Sequence, residues 1–304
     1  MKFGVNLTNF GRRMSPEIML TWAKACEELG YHLLLVSDHV ALTEDADSRS
    51  PAPFFEPFTT LSWLAGQTRK LRLGTGVVIT PHRHPLLLAR MTATLDQLSG
   101  GRFVLGVGVG WTRLAFEALD VPFQRRGALT DEYLAALLEL WHNEIAGFTG
   151  PTVRFQGVHS GPQPVQRPHP PVWVGGNGVA ALRRTARFGD AWHPLWPRRE
   201  ILPQALRALH ALADSFDRPR PAFCPRIALE ITETPLPEHL RSAGQGTVAQ
   251  LRRDFDALAE LGAEYVVVDT DTGDQRRRRP VEQELELLGT LADKVIDPAA
   301  ETIR

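Results

Sequence analysis

Cysteine is nearly absent from this chain: Cys26 and Cys224 are the 2 among 304 residues. Two distant cysteines make neither a disulfide framework nor a zinc ligand set. Cys26 falls on the apolar stripe of an expected helix and reads as core. An excess of one charge is missing too, since 34 Lys and Arg are balanced by 35 Asp and Glu for a net charge of -1. That balance argues against nucleic acid or any other polyanion as partner. No apolar run approaches membrane-spanning length, and Met1-Lys2-Phe3 leads straight into an expected strand without a signal-peptide pattern. We expect a cytoplasmic protein with no membrane partner.

What is present is a rhythm of strand and helix. Apolar, β-branched runs predict strands at 3–7, 31–36, 71–79, 100–111, 171–174, 190–195, 226–231 and 265–269. Helices fall between them. Ser15 and Pro16 open the first, with Ile18, Trp22, Cys26 and Leu29 as its inner stripe. Others are expected at 56–68, from Pro85 (with Leu88, Met91, Leu95 and Leu98 inward), at 114–119, 130–142, through Leu182 and Ala186, and at 198–216, 247–261 and 280–295. Gly30, Gly189 and Gly262 each end a helix and start a strand at once, as a left-handed glycine does. The segment 144–170 is too long and too rich in Gly and Pro for a plain connection. Val153-Arg154-Phe155 and Gly157-Val158-His159 predict a hairpin there. The expectation is an α/β fold: residues 1–304 as a single (β/α)8 TIM barrel with an excursion hairpin between strands four and five.

In such a barrel the chemistry collects where strands end. That rule selects Asn6, Asp38, His39, Gly76, Val77, Gly110, Trp111, Gly175, Gly176, Asn177, Gly178, His193, Glu230 and Asp269. No lysine stands among them, which argues against a Schiff-base aldolase, and no carboxylate pair for glycoside hydrolysis is evident. His82 and His84 have a metal-ligand spacing but follow strand three in a Pro-bracketed turn, so solvated loop histidines are expected and no metal.

Gly106, Gly108 and Gly110 are not there for strand propensity. Their spacing fails the dinucleotide fingerprint, so another backbone or a flat ligand comes close there. Gly175-Gly176-Asn177-Gly178 precedes a helix, where free backbone N–H groups could bind phosphate. A planar ring with a phosphorylated tail fits this outline. The run Arg276-Arg277-Arg278-Arg279 reads as a solvated loop.

Five motifs then carry a resemblance: Val36-Ser37-Asp38-His39, Gly74-Thr75-Gly76-Val77, 98–111, 167–176 and Gly189-Asp190-Ala191-Trp192. The chain resembles the bacterial luciferase-like family of flavin- or coenzyme F420-dependent oxidoreductases, strongly over residues 1–200 and by pattern beyond. The resemblance implies that Asp38 and His39 face the cofactor ring, with His39 a proton donor or acceptor. It puts a non-prolyl cis peptide at Gly76-Val77, Gly110 along the cofactor and Trp111 over the substrate side. Gly176, Asn177 and Gly178 would meet the phosphate, although many relatives carry serine where Gly178 stands. His193 is placed by strand position alone, with a structural role as its alternative.

The expected function is hydride transfer between coenzyme F420 and a small organic substrate. An FMNH2-dependent monooxygenase using FMN is the alternative, and a non-catalytic flavin- or deazaflavin-binding protein is the alternative of another class. A homodimer is expected, since relatives pair through the helices after strands two and three.

Overall fold

The computed structural model describes residues 1–44, 51–271 and 279–304, so Arg276, Arg277 and Arg278 of the basic run lie outside the described residues. The chain opens with β1 (Lys2–Leu7), α1 (Pro16–Glu28), β2 (Leu33–Val36), α2 (Pro57–Gln67), β3 (Arg72–Thr75), β4 (Val78–Ile79) and α3 (Pro85–Ser99). It continues through β5 (Phe103–Gly108), α4 (Arg113–Ala118), α5 (Arg126–His142), β6 (Ile145–Thr149), β7 (Arg154–His159) and β8 (Val172–Gly175). Next come α6 (Val179–Phe188), β9 (Ala191–His193), α7 (Leu202–Ser215), β10 (Ala222–Phe223), β11 (Arg226–Ala228), β12 (Glu230–Ile231) and β13 (Gln245–Gly246). The chain closes with α8 (Val248–Glu260), β14 (Tyr265–Asp269), α9 (Val281–Lys294), β15 (Ile296–Asp297) and β16 (Thr302–Ile303).

The main sheet runs β10-β9-β8-β5-β3-β2-β1-β14-β11, with β4 beside β5. Its pairings are parallel throughout. Single bridges Phe223–Ala263 and Leu195–Arg226 link strands near its two ends. The result is a curled parallel sheet of TIM-barrel-like form with helices between successive strands. Near-continuous burial of Leu33–Val36 and Tyr265–Asp269 reflects strands covered on both faces.

Local chemistry sets the element ends. Ser15 accepts from the Ile18 amide at 3.3 Å with Pro16 in the first turn of α1. Thr247 and Gln250 form a capping box on α8. Gly30 and Gly262 hold φ of +81° and +79° after their helices. Gly189 differs from the expectation, with φ -91°. Close packing explains it: a Cβ there would lie 2.9 Å from a Val174 methyl.

Other expectations need adjusting. Leu98 is 62% exposed rather than inward. The reason is Asp96, whose buried carboxylate accepts from the Val165 and Gln166 amides and turns Leu98 outward. The α5 helix begins at Arg126, not 130, after a short turn in which its guanidinium lies over the Phe123 ring. The hairpin pairs β6 with β7, so its turn is at 150–153 rather than at Gln156. Glu132 fixes that turn by accepting from the Thr152 and Val153 amides at 2.6 and 2.7 Å. The strand expected at 226–231 divides into β11 and β12, and β10 precedes it across Pro225, which has no N–H to donate.

Candidate functional site

A cavity of about 610 Å³ opens where the parallel strands end. Of the expected residues, Asp38, His39, Gly76, Val77, Gly110, Trp111, Gly175, Gly176 and His193 line it. Asn177 and Gly178 do not. Asn6 and Asp269, also expected at strand ends, line it too, and Phe10, Arg226 and Asp271 complete much of the lining. Glu230 stands apart, accepting from the Gln245 side chain at 3.0 Å beside β13.

The centre of the floor is a non-prolyl cis peptide at Gly76-Val77, between β3 and β4. The Gly76 amide, on the peptide before it, donates to the Val36 carbonyl at 2.8 Å. The carbonyl of the cis peptide accepts from Arg226 Nη1 at 2.8 Å, across the sheet. The Val77 side chain explains several of the glycines. A Cβ at Gly106, Gly108 or Gly175 would come within 3.2, 2.6 and 3.1 Å of a Val77 methyl, and one at Gly106 would also lie 1.8 Å from the Thr75 carbonyl oxygen. These glycines therefore clear room for the chain's own bulge. Of the two expected causes, close backbone rather than a flat ligand accounts for Gly106.

Asp38 lines the cavity and caps the loop ahead of it, a role open to it beside that of facing a ring. Its carboxylate is buried and bidentate to Arg83, at 2.6 and 3.0 Å, and accepts from the Ile79 amide at 2.9 Å. It braces β4 and the loop beyond. Glu56, which also caps α2, takes a further Arg83 N–H at 2.9 Å.

His39 sits edge-on to Trp111, ring centres 6.1 Å apart, and edge-on to Phe54 at 5.3 Å. Phe54 stacks on Phe10. This aromatic wall comes from the loops after β1, β2 and β5. Trp111 is 45% exposed, so its indole forms part of the open mouth.

His82 is not a solvated loop histidine. Its ring packs on Phe116 at 4.5 Å, both ring nitrogens are buried, and burial drives its pKa down to about 4. His84 caps α3, its Nδ1 accepting from the Leu86 amide. The two rings therefore serve different elements and do not form a ligand pair.

His193 is buried at the end of β9, and Nδ1 lies 2.6 Å from the Cys224 carbonyl oxygen. A carbonyl only accepts, so Nδ1 carries the proton and Nε2 the lone pair. Burial lowers its pKa to about 4, opposed by the Cys224 carbonyl and helped by nearby Arg226. The ring is neutral at pH 7. Nε2 is buried with no hydrogen-bond partner in the protein, as is Asn6 Oδ1. Arg226 is clamped by Asp269, with Nε at 2.8 Å and Nη2 also bonded to the same oxygen. Burial raises the Asp269 pKa, with Arg226 opposing.

At the far side, Gly176 holds φ +118°, and a Cβ there would touch Ala181 at 3.0 Å. Gly178 precedes α6 without any side-chain cap, and its carbonyl accepts from the Ala181 amide at 2.9 Å, so the first-turn amides ahead of that one, of Val179 and Ala180, take no side-chain cap. The Asn177 side chain has another task. It donates to the Leu195 carbonyl at 2.7 Å and accepts from the Leu195 amide at 3.1 Å, stapling the loop after β8 to the loop after β9. Arg226 and its bond to Gly76 were not foreseen; two residues after Cys224 at the start of a strand, nothing local marks it.

The sequence matches the luciferase-like monooxygenase family over residues 1–278. An uncharacterized protein of Mycobacterium tuberculosis is 31% identical over 280 residues, covering 88% of this chain and 96% of that one. The FMNH2-dependent dimethylsulfone monooxygenase of Pseudomonas putida is 30% identical over 174 residues, covering 56% of this chain and 46% of the enzyme. Among solved structures, monooxygenase RslO1 from Streptomyces bottropensis superposes with a TM-score of 0.79 at 23% identity, over 97% of this chain and 98% of that one. An F420-dependent secondary alcohol dehydrogenase in complex with an F420–acetone adduct superposes at 0.75 and 14% identity, over 97% and 98%. These two likenesses concern the fold. Among the described residues no helix is long and apolar enough to cross a membrane.

Proposed function

The chain belongs to the luciferase-like monooxygenase family, and from that premise we propose that it is an oxidoreductase moving a hydride between coenzyme F420 and a small organic substrate. The supporting architecture is an eight-stranded (β/α)8 barrel, counting β3 with β4 and β10 with β11 as single strands. The observation that carries the proposal is one cavity with an aromatic wall and a polar floor, whose lining at Gly176 leads on to the uncapped N-terminus of α6.

The residues suit a flavin-sized group. Buried acceptors on Asn6 and His193 lack protein partners. The Gly76-Val77 peptide offers a flat backing held by Arg226. Gly176 and the amides ahead of α6 would hold a phosphate through backbone N–H groups. The deazaflavin supplies paired-electron hydride chemistry when bound. His39 holds or moves the substrate's proton at an imidazole nitrogen, beside the edge of Trp111. Phe10, Phe54 and Trp111 orient the substrate and exclude water. Asp38 acts through Arg83, keeping β4 and the floor in place. The proposal includes a cytoplasmic homodimer pairing through α2 and α3, on which Trp63, Leu87 and Leu98 are exposed.

The match to an FMNH2-dependent monooxygenase favours a second reading, oxygen insertion with reduced FMN. Titration of the purified protein with each cofactor tests the choice. A fluorescence change with F420 at low concentration, and none with FMN, is the expected outcome. The reverse result transfers the proposal to FMN.

A further inference from the structure

The polar floor carries a recognition pattern that neither the motifs nor the reaction required. His193 offers one acceptor and has no freedom to offer a donor. Its Nδ1–H is committed to Cys224, which leaves the Nε2 lone pair buried and without a protein partner. A buried acceptor in this condition is costly until something donates to it. Arg226 supplies the opposite character nearby. A guanidinium has five N–H donors, and Arg226 commits three bonds to Asp269 and the Gly76 carbonyl. Two donors are left over. The two side chains come from adjacent strands, for Arg226 forms a bridge with Leu195, two residues beyond His193. Both line the cavity.

An acceptor beside a donor fits a ligand edge that shows an N–H next to a carbonyl. We propose that His193 and Arg226 recognise the imide edge of the cofactor ring, His193 Nε2 accepting from the ring N3–H and Arg226 donating to an adjoining carbonyl. This rests on the cofactor reading above, and holds for FMN and F420 alike because both carry that imide. Protonation would abolish the acceptor, and the low pKa of His193, about 4, keeps it available at neutral pH. A cationic histidine here would instead repel both the N–H and Arg226.

The test compares FMN and F420 with their N3-methyl derivatives by fluorescence titration of the protein. The wild-type chain should bind the N-methyl form about tenfold more weakly than its parent. In His193→Ala the space beside the ring opens and the acceptor is gone, so the ratio should fall to near one while the parent loses about tenfold. Should that variant fail to fold by circular dichroism, the wild-type comparison decides alone. Equal binding of parent and N-methyl forms by the wild-type protein overturns the assignment and leaves the cofactor reading standing. Binding of neither parent removes the cofactor reading and this assignment with it.

Discussion

Asp38 and Arg83 form a buried, bidentate ion pair at 2.6 and 3.0 Å, directly behind the loop that carries His39. Removing one partner strands the other charge. Arg83→Met should destabilise the protein by about 3–5 kcal/mol, read as a lower urea midpoint. The double variant Asp38→Asn with Arg83→Met should recover part of that loss. A single variant as stable as wild type would mean that the pair is solvated and that the loop is held by other contacts.

His39→Asn tests the proton role. Asparagine keeps a hydrogen-bonding group of similar reach but cannot shuttle a proton. Turnover should fall about 10²–10⁴-fold, with cofactor affinity little changed. If affinity and turnover fall together, His39 positions the ring; near-normal turnover removes it from the mechanism.

Gly178→Ser should strengthen phosphate binding. Nothing lies within 4 Å of a Cβ at Gly178, and the residue occupies the cap of α6 with extended backbone. A serine hydroxyl there adds one donor beside the free amides. Cofactor affinity should rise about two- to tenfold, the worth of one net hydrogen bond, while stability changes by only about a few tenths of a kcal/mol. An unchanged dissociation constant would move the phosphate elsewhere.

Stability should depend on pH through His193. Its pKa falls from the ordinary 6.5 to about 4 on folding. Between those values the unfolded chain binds a proton that the native chain refuses, so stability is full above pH 6.5 and is lost as pH falls toward 4. Over the whole window His193 accounts for roughly 3 kcal/mol. Denaturant titrations at several pH values should show that slope added to a similar one from His82, whose pKa also falls to about 4, and His193→Gln should remove about half of the total. A wild-type slope of zero would contradict the buried neutral imidazole.

How much of this was legible beforehand varies with the distance over which the cause acts. Tyr265–Asp269 could be read directly, because a β-branched run follows a left-handed Gly262. Ser15 and Pro16 marked α1 equally well. Asp38, Gly76 and His193 could be nominated from strand ends and motifs, and they do line the cavity. What they touch could not. The Asp38 carboxylate belongs to Arg83, 45 residues on, and Arg226 reaches Gly76 across 150 residues. His82 looked like a loop residue because its burial is created by Phe116, which no local pattern announces. The Val153–His159 hairpin was displaced because Glu132, on a preceding helix, chooses the turn.

The packing around Val77 has a consequence for how such a chain can drift. The side chain is accommodated by glycines on two other strands: Gly106 and Gly108 on β5, and Gly175 on β8. Gly106 and Gly108 cannot accept even a methyl group while the valine remains, and Gly175 could only if the valine gave way, yet Val77→Gly would open space for one beside Gly108, whose nearest contact is a Val77 methyl at 2.6 Å. Gly106 stays closed in either case, because the Thr75 carbonyl fills its Cβ position. Substitutions at 77 and 108 should therefore be jointly tolerated where the change at 108 alone is not. Across descendants of this sequence the two positions should change as a pair, while 106 stands still.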